Sequence, residues 1–130
     1  MANMFICTDG TRVSESGIKA RYSKALKEKH GGQPASVCEG CGQEQCVHND
    51  HTIAKARCKV IHKTELIWHH GNFVSSCERC HKQWENFKSG EWLNHLNVVH
   101  RLLFLKTHDP EGYNTRVHLT ALALEEHAAA

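Results

Sequence analysis

Apolar residues recur along this chain in short runs whose spacing changes from segment to segment. Met4-Phe-Ile-Cys7 followed by Thr8-Asp9-Gly10 reads as a short strand and turn within residues 1–13. Ser14 is placed to cap a helix running to about His30, with Ile18, Tyr22, Ala25 and Leu26 on one face and the lysines largely elsewhere. Gly31-Gly32 and Pro34 end it. Asp50-His51 leading into Ile53 fits the end of a strand, and residues 55–66 read as a basic loop or short helix. Glu65-Leu-Ile-Trp68 is apolar enough to pack on the core, His69–Asn72 form a turn, and Phe73-Val74 a second short strand. Helical spacing resumes at about Cys80 and stops at Ser89-Gly90. From Glu91 to about Lys106 the set Trp92, Leu93, Leu96, Val99 and Leu103 predicts a helix covering the core. Asp109-Pro110 and Gly112 break it before a last helix from Asn114 to about His127.

These elements divide the chain into a basic helical segment (1–36), a central core (37–90) and helical support (91–130). With 130 residues and a net charge of +2, size and charge alone discriminate little. The distribution says more: six Lys/Arg against two Glu lie between Thr11 and His30, and three Glu against one Arg from Glu111 onward. No stretch of 18 apolar residues exists, so a spanning helix and a membrane role are not expected. The start lacks the basic and apolar regions of a secretory signal, which points to the cytoplasm.

Cysteine spacing changes the picture most. Four of the seven cysteines form two Cys-x-x-Cys pairs, Cys38/Cys41 and Cys77/Cys80, with 35 residues between the pairs. In an unexported chain this favours one tetrahedral structural Zn²⁺ over disulfides. Cys7 reads as a small buried thiol, while Cys46 and Cys58 have no Cys-x-x-Cys partner and no assigned role.

Between and beside the pairs lie the parts of a hydrolytic site. An unperturbed imidazole titrates near working pH, so His51 can act as a general base. Asp50 and His81 can ligate a divalent cation, and Glu85, four residues beyond His81 on the same helical face, is a further candidate ligand. Asn72 can orient the loop or imidazole that carries the base. Trp68, Trp84 and Trp92 read as core fillers, and His95, His100, His108, His118 and His127 as surface or structural.

The order Cys-x-x-Cys, Asp-His, Asn, Cys-x-x-Cys-His resembles the HNH endonuclease family, over Cys38 to about Phe87, and small phage-encoded members in particular. The resemblance implies an α+β fold: a small zinc-stapled ββα-metal (His-Me finger) core with flanking helices. It implies His51 as general base, Asp50 and His81 as ligands of a catalytic Mg²⁺ or Mn²⁺, Asn72 as the motif asparagine, and Cys38, Cys41, Cys77 and Cys80 as the zinc cage. The implied substrate is duplex DNA, nicked or cut in the host cytoplasm if the chain is phage-encoded, by a monomer or weak dimer. DNA would be gripped mainly through phosphates, with Lys19, Arg21, Lys24, Lys55, Arg57, Lys59, Arg79 and Lys82 as candidate contacts. Twenty residues separate His51 from Asn72, a long insertion that leaves the places of His62, His69 and His70 open. The competing reading is a zinc-knuckle nucleic-acid-binding or assembly protein without turnover.

Overall fold

The computed structural model describes residues 3–45 and 48–129; Cys46 lies outside the described residues. The chain is mixed helix and sheet, α+β as the sequence suggests. Strands β1 (Met4–Ile6) and β2 (Arg12–Ser14) precede α1 (Glu15–His30), β3 (His48–His51), α2 (Lys55–Val60) and β4 (Phe73–Ser76). Then come α3 (Glu78–Glu85), α4 (Val98–His108) and α5 (Pro110–Ala129). Among the described residues no helix is long and apolar enough to cross a membrane. Two compact units form, residues 1–34 with 51–74 and residues 35–50 with 75–130. Strands β3 and β4 pair with each other.

The first unit opens with a hairpin in which Met4 faces Ser14, Phe5 faces Val13 and Ile6 faces Arg12. Its turn is closed by Cys7 N–H on Thr11 O at 2.8 Å and by the Asp9 carboxylate accepting from Thr11 N–H at 2.9 Å. Ser14 caps α1 by accepting from Gly17 N–H at 3.2 Å. Gly31, at φ 65°, ends the helix and returns its N–H to Leu26 and Lys27 carbonyls, a left-handed position that glycine adopts without strain. Ile18 and Ala25 bury one face of α1. Val13, Ile53, Cys58, Leu66, Ile67 and Phe73 complete an apolar core. Cys7 is buried, as its apolar neighbours suggest. The basic stretch after Ile53 resolves into α2 and a 3₁₀ turn, Thr64–Trp68, tied back to the hairpin by Thr64 Oγ1 donating to Ile6 O at 2.7 Å.

In the second unit the knuckle, 35–45, is closed by a bridge between Val37 and Gln45. Helix α3 starts at Glu78, two residues earlier than its apolar spacing indicates, because the Cys77 sulfur caps it by accepting from Cys80 N–H at 3.4 Å.

The expected helix from Glu91 to Lys106 is corrected by the structure. Glu91–Asn94 is a 3₁₀ turn, His95 is extended at ψ 141°, and α4 begins only at Val98. Leu96 N–H is taken by Gly40 O at 2.7 Å, which draws the chain out of helical register. The apolar face shifts with it. Leu96, Val99 and Leu103 are 75%, 74% and 65% exposed, while Arg101, Phe104 and Leu105 are buried. Trp92 alone of the expected set is a full core residue; its indole donates to Phe87 O at 2.7 Å.

The last helix also starts earlier than expected, at Pro110. Proline suits a first helical position, where its missing N–H goes unused. The Asp109 carboxylate accepts from Gly112 N–H at 3.1 Å, and a Cβ at Gly112 would lie 2.2 Å from that carboxylate. A residue that reads as a breaker is there to admit the cap.

Candidate functional site

The strongest constellation lies in the second unit. Cys38, Cys41, Cys77 and Cys80 bring four sulfurs within 4.8 Å of one another. A tetrahedral site with metal–sulfur bonds of about 2.3 Å has sulfur–sulfur edges of about 3.8 Å; Cys41 and Cys77 sulfurs stand 4.0 Å apart. Backbone amides already serve the sulfurs: Gly40 N–H and Cys41 N–H approach Cys38 Sγ at 3.3 and 3.5 Å, and Glu44 N–H approaches Cys41 Sγ at 3.4 Å. Gly40 is required for clearance, since a Cβ there would lie 3.1 Å from both Cβ and Sγ of Cys80. Amide donors from Glu44 and Gln43 lower the Cys41 thiol to about 6. Burial pushes Cys77 and Cys80 upward, so these two ionise at neutral pH only against a cation. The donor set therefore fits a structural zinc. Cys58 is not part of it: it is fully buried in the first unit, its thiol donating to Ile53 O at 3.5 Å.

Beside this group in the second unit, Asp50 and His81 meet across 31 positions of sequence, with His81 Nδ1 donating to Asp50 Oδ1 at 3.0 Å. The other imidazole nitrogen, Nε2, lies 3.0 Å from Glu85 Oε1. A carboxylate stands at each nitrogen, so both contacts are hydrogen bonds only when the ring is doubly protonated; in the neutral ring one nitrogen turns a lone pair to its oxygen. Donor atoms of Asp50, His81 and Glu85 are thus strung along the ring. Among the described residues the four cysteines are the group whose ligand atoms converge on a point.

Two neighbours of this pair were not singled out from sequence. His48 precedes Asp50 by two, hence on the same strand face; its ring stacks on His81 at 4.4 Å, and its Nε2 reaches Glu78 Oε2 at 2.5 Å. Arg101 donates from Nη1 to Asp50 Oδ2 at 3.0 Å, both side chains being buried. A signal for it was present: Arg101 is the one Lys or Arg inside the apolar run from Val98 to Leu105. Arg116 also closes inward, its guanidinium 3.7 Å from the Trp84 ring, and burial lowers it to about 9.

In the first unit His51 is half-buried, and its Nε2 donates to Ile67 O at 2.9 Å. A carbonyl only accepts, so the neutral ring carries its lone pair on Nδ1. Its ring lies 5.0 Å from Tyr22 and 6.0 Å from Phe73. Asn72 is fully buried. Its Oδ1 accepts from Ile53 N–H at 2.7 Å, and its Nδ2 donates to Ile53 O and Leu66 O, each at 3.0 Å. It staples the segment after His51 to the start of β4. His69 accepts from Gly71 N–H through Nδ1, His70 offers its carbonyl to Lys29 at 2.6 Å, and His62 is exposed at φ 58°.

The candidate phosphate contacts divide. Lys19 and Lys24 are exposed. Lys59 pairs with Glu15 at 2.8 Å, Arg79 with Glu44 at 3.2 Å and Lys82 with Glu78 at 3.2 Å. Arg21 lies over the Trp68 ring and Lys55 over the Tyr22 ring, while Arg57 is half-buried. Exposed ion pairs contribute little to stability. No family model, no characterised protein and no solved structure matches the chain.

Proposed function

We propose that the chain is a divalent-cation-dependent DNA endonuclease of HNH type, built on a structural zinc. The observation that carries this reading is the Asp50–His81 contact at 3.0 Å, with Glu85 at the far nitrogen, beside a four-cysteine group. A purely structural knuckle needs no carboxylate–imidazole–carboxylate row at its edge. His51 is the proton acceptor for the attacking water. Its Nε2–H is donated to the Ile67 carbonyl, which holds the ring in one orientation. Asn72 fixes the backbone on either side of the insertion and takes no part in proton transfer. His81 and Glu85 are the residues that would hold a Mg²⁺ or Mn²⁺, with Asp50 behind them; carboxylate oxygens are the donors such ions prefer. Bound there, a dication would offset charge on the phosphate and the leaving oxygen. The exposed lysines of α1 and the loosely paired Arg79 and Lys82 supply sequence-independent grip.

One observation favours a binding module without turnover. The Asp50 charge is already matched by Arg101, which weakens its pull on a cation. Incubating zinc-loaded protein with supercoiled plasmid and Mg²⁺ or Mn²⁺ separates the two. Nicked or linear DNA that disappears in His51→Ala supports the nuclease. Salt-sensitive retention of intact plasmid under every cation rejects it.

A further inference from the structure

We propose that Arg101, on α4 and beyond the span that resembles HNH nucleases, is a positioning residue that sets the His81 imidazole through Asp50. The inference rests on the functional reading of the Asp50–His81 pair.

Arg101 is 1% exposed, and a buried guanidinium is tolerated only when paired. Its Nη1 donates to Asp50 Oδ2 at 3.0 Å, and its guanidinium lies over the Trp84 ring at 4.0 Å. Arg116 of α5 lies over the same ring at 3.7 Å and donates to the Trp84 carbonyl at 3.0 Å. Trp84 is three residues past His81 on α3. Helices α4 and α5 thus reach both ends of the imidazole's support: the carboxylate it contacts and the helix it stands on.

The consequence lies in how the carboxylate divides its oxygens. Oδ2 is occupied by Arg101 and, at 3.4 Å, by the Ser76 hydroxyl, which leaves Oδ1 for His81 Nδ1. A carboxylate held this way accepts only from Nδ1–H, so Nε2 becomes the nitrogen that faces Glu85 and any incoming cation. Replacing a buried ion pair by apolar residues is often neutral for stability. Orientation is therefore the property that distinguishes this pair from generic core packing.

Full-length zinc-loaded protein labelled with ¹⁵N-histidine tests the idea through the His81 tautomer, read by NMR at about pH 8, where an unperturbed imidazole is neutral. Wild type is expected to show His81 protonated at Nδ1. Arg101→Met is expected to give a tautomer mixture and to lower Mn²⁺-supported plasmid nicking by about 10- to 100-fold in kcat, with KM for DNA little changed. Arg101→Lys, which keeps the charge but not the fork, recovers part of both. Should Arg101→Met fail to fold, Arg101→Lys carries the test, and it must itself show more of the second tautomer than wild type. A folded variant lacking Arg101 that keeps the wild-type tautomer overturns the proposal, as does a wild type protonated at Nε2. The tautomer needs no turnover to be read. A fixed Nδ1–H in a protein that cuts nothing rejects the nuclease reading while supporting the action of Arg101 on His81.

Discussion

His51 belongs to the unit built on α1 and α2, His81 to the unit built on the cysteines, and the two rings sit in surroundings of different kinds. His51 has among its partners a backbone carbonyl and the rings of Tyr22 and Phe73. Around His81 are two carboxylates and a stacked imidazole, with a buried guanidinium behind one carboxylate. In the first, the carbonyl contact at Nε2 holds the orientation of the ring. In the second, a carboxylate oxygen stands within 3.0 Å of each ring nitrogen, the donor chemistry that an incoming dication would meet. The same contrast extends to what holds each unit together. The first rests on apolar burial and one asparagine that satisfies backbone groups. In the second, buried thiols and a buried ion pair sit at the centre, so its order depends on charge balance.

The largest expected effect tests that dependence directly. Structural zinc contributes on the order of 10–16 kcal/mol in small domains. Stripping the metal with a strong chelator should raise hydrogen exchange steeply at the amides of 38–44 and 77–81 and much less within α1. Uniform acceleration in both units would erase the contrast.

Next in size is His51→Ala, expected to slow plasmid cleavage by about 10²- to 10⁴-fold with an unchanged circular-dichroism spectrum. Equal rates in the two proteins would remove His51 from the chemistry.

Asn72→Ala follows. It abandons three backbone groups in a fully buried position, at a cost of about 1–3 kcal/mol for each group left unsatisfied. Urea denaturation should show that loss in the first unit, with zinc stoichiometry retained. Loss of zinc instead would mean that the units do not respond separately.

The smallest effect concerns pH. Burial, followed by the Arg101 charge, lowers His95 below its usual 6.5, and its Nε2 is bonded to Gln83 Oε1 at 2.7 Å. The unfolded chain therefore takes up this proton before the folded one. Stability should fall as pH drops below about 6.5 and be untouched above it. His95→Gln should flatten that slope relative to wild type, zinc competition being common to both. An identical slope in the two proteins would show that His95 is not a contributor.

Much of the local structure was legible in the chain because it obeys short-range rules. Ser14 and Gly31 bound α1 through their own backbone bonds, and Cys-x-x-Cys spacing sufficed to bring each pair of sulfurs together. The same rules misread Glu91–Lys106, where a single tertiary hydrogen bond, Leu96 N–H to Gly40 O, broke the period and turned Leu96, Val99 and Leu103 outward. Asp109-Pro110 was legible as a break but not as the start of α5, since the cap depends on a carboxylate folding over Gly112.

By itself, then, the sequence determined the four candidate thiol ligands, the bounds of α1 and the identity of the candidate imidazoles and carboxylates. These follow from residue type and from spacings shorter than a few turns of chain. Tertiary structure alone decided that Asp50 would share its two oxygens between His81 and Arg101, 31 and 51 positions away. It also decided that Asn72 would bridge Ile53 and Leu66, and that His48 would stack on His81. Pairings at such separations are selected by the need to satisfy every buried charge and polar group at once, and no local pattern records that condition.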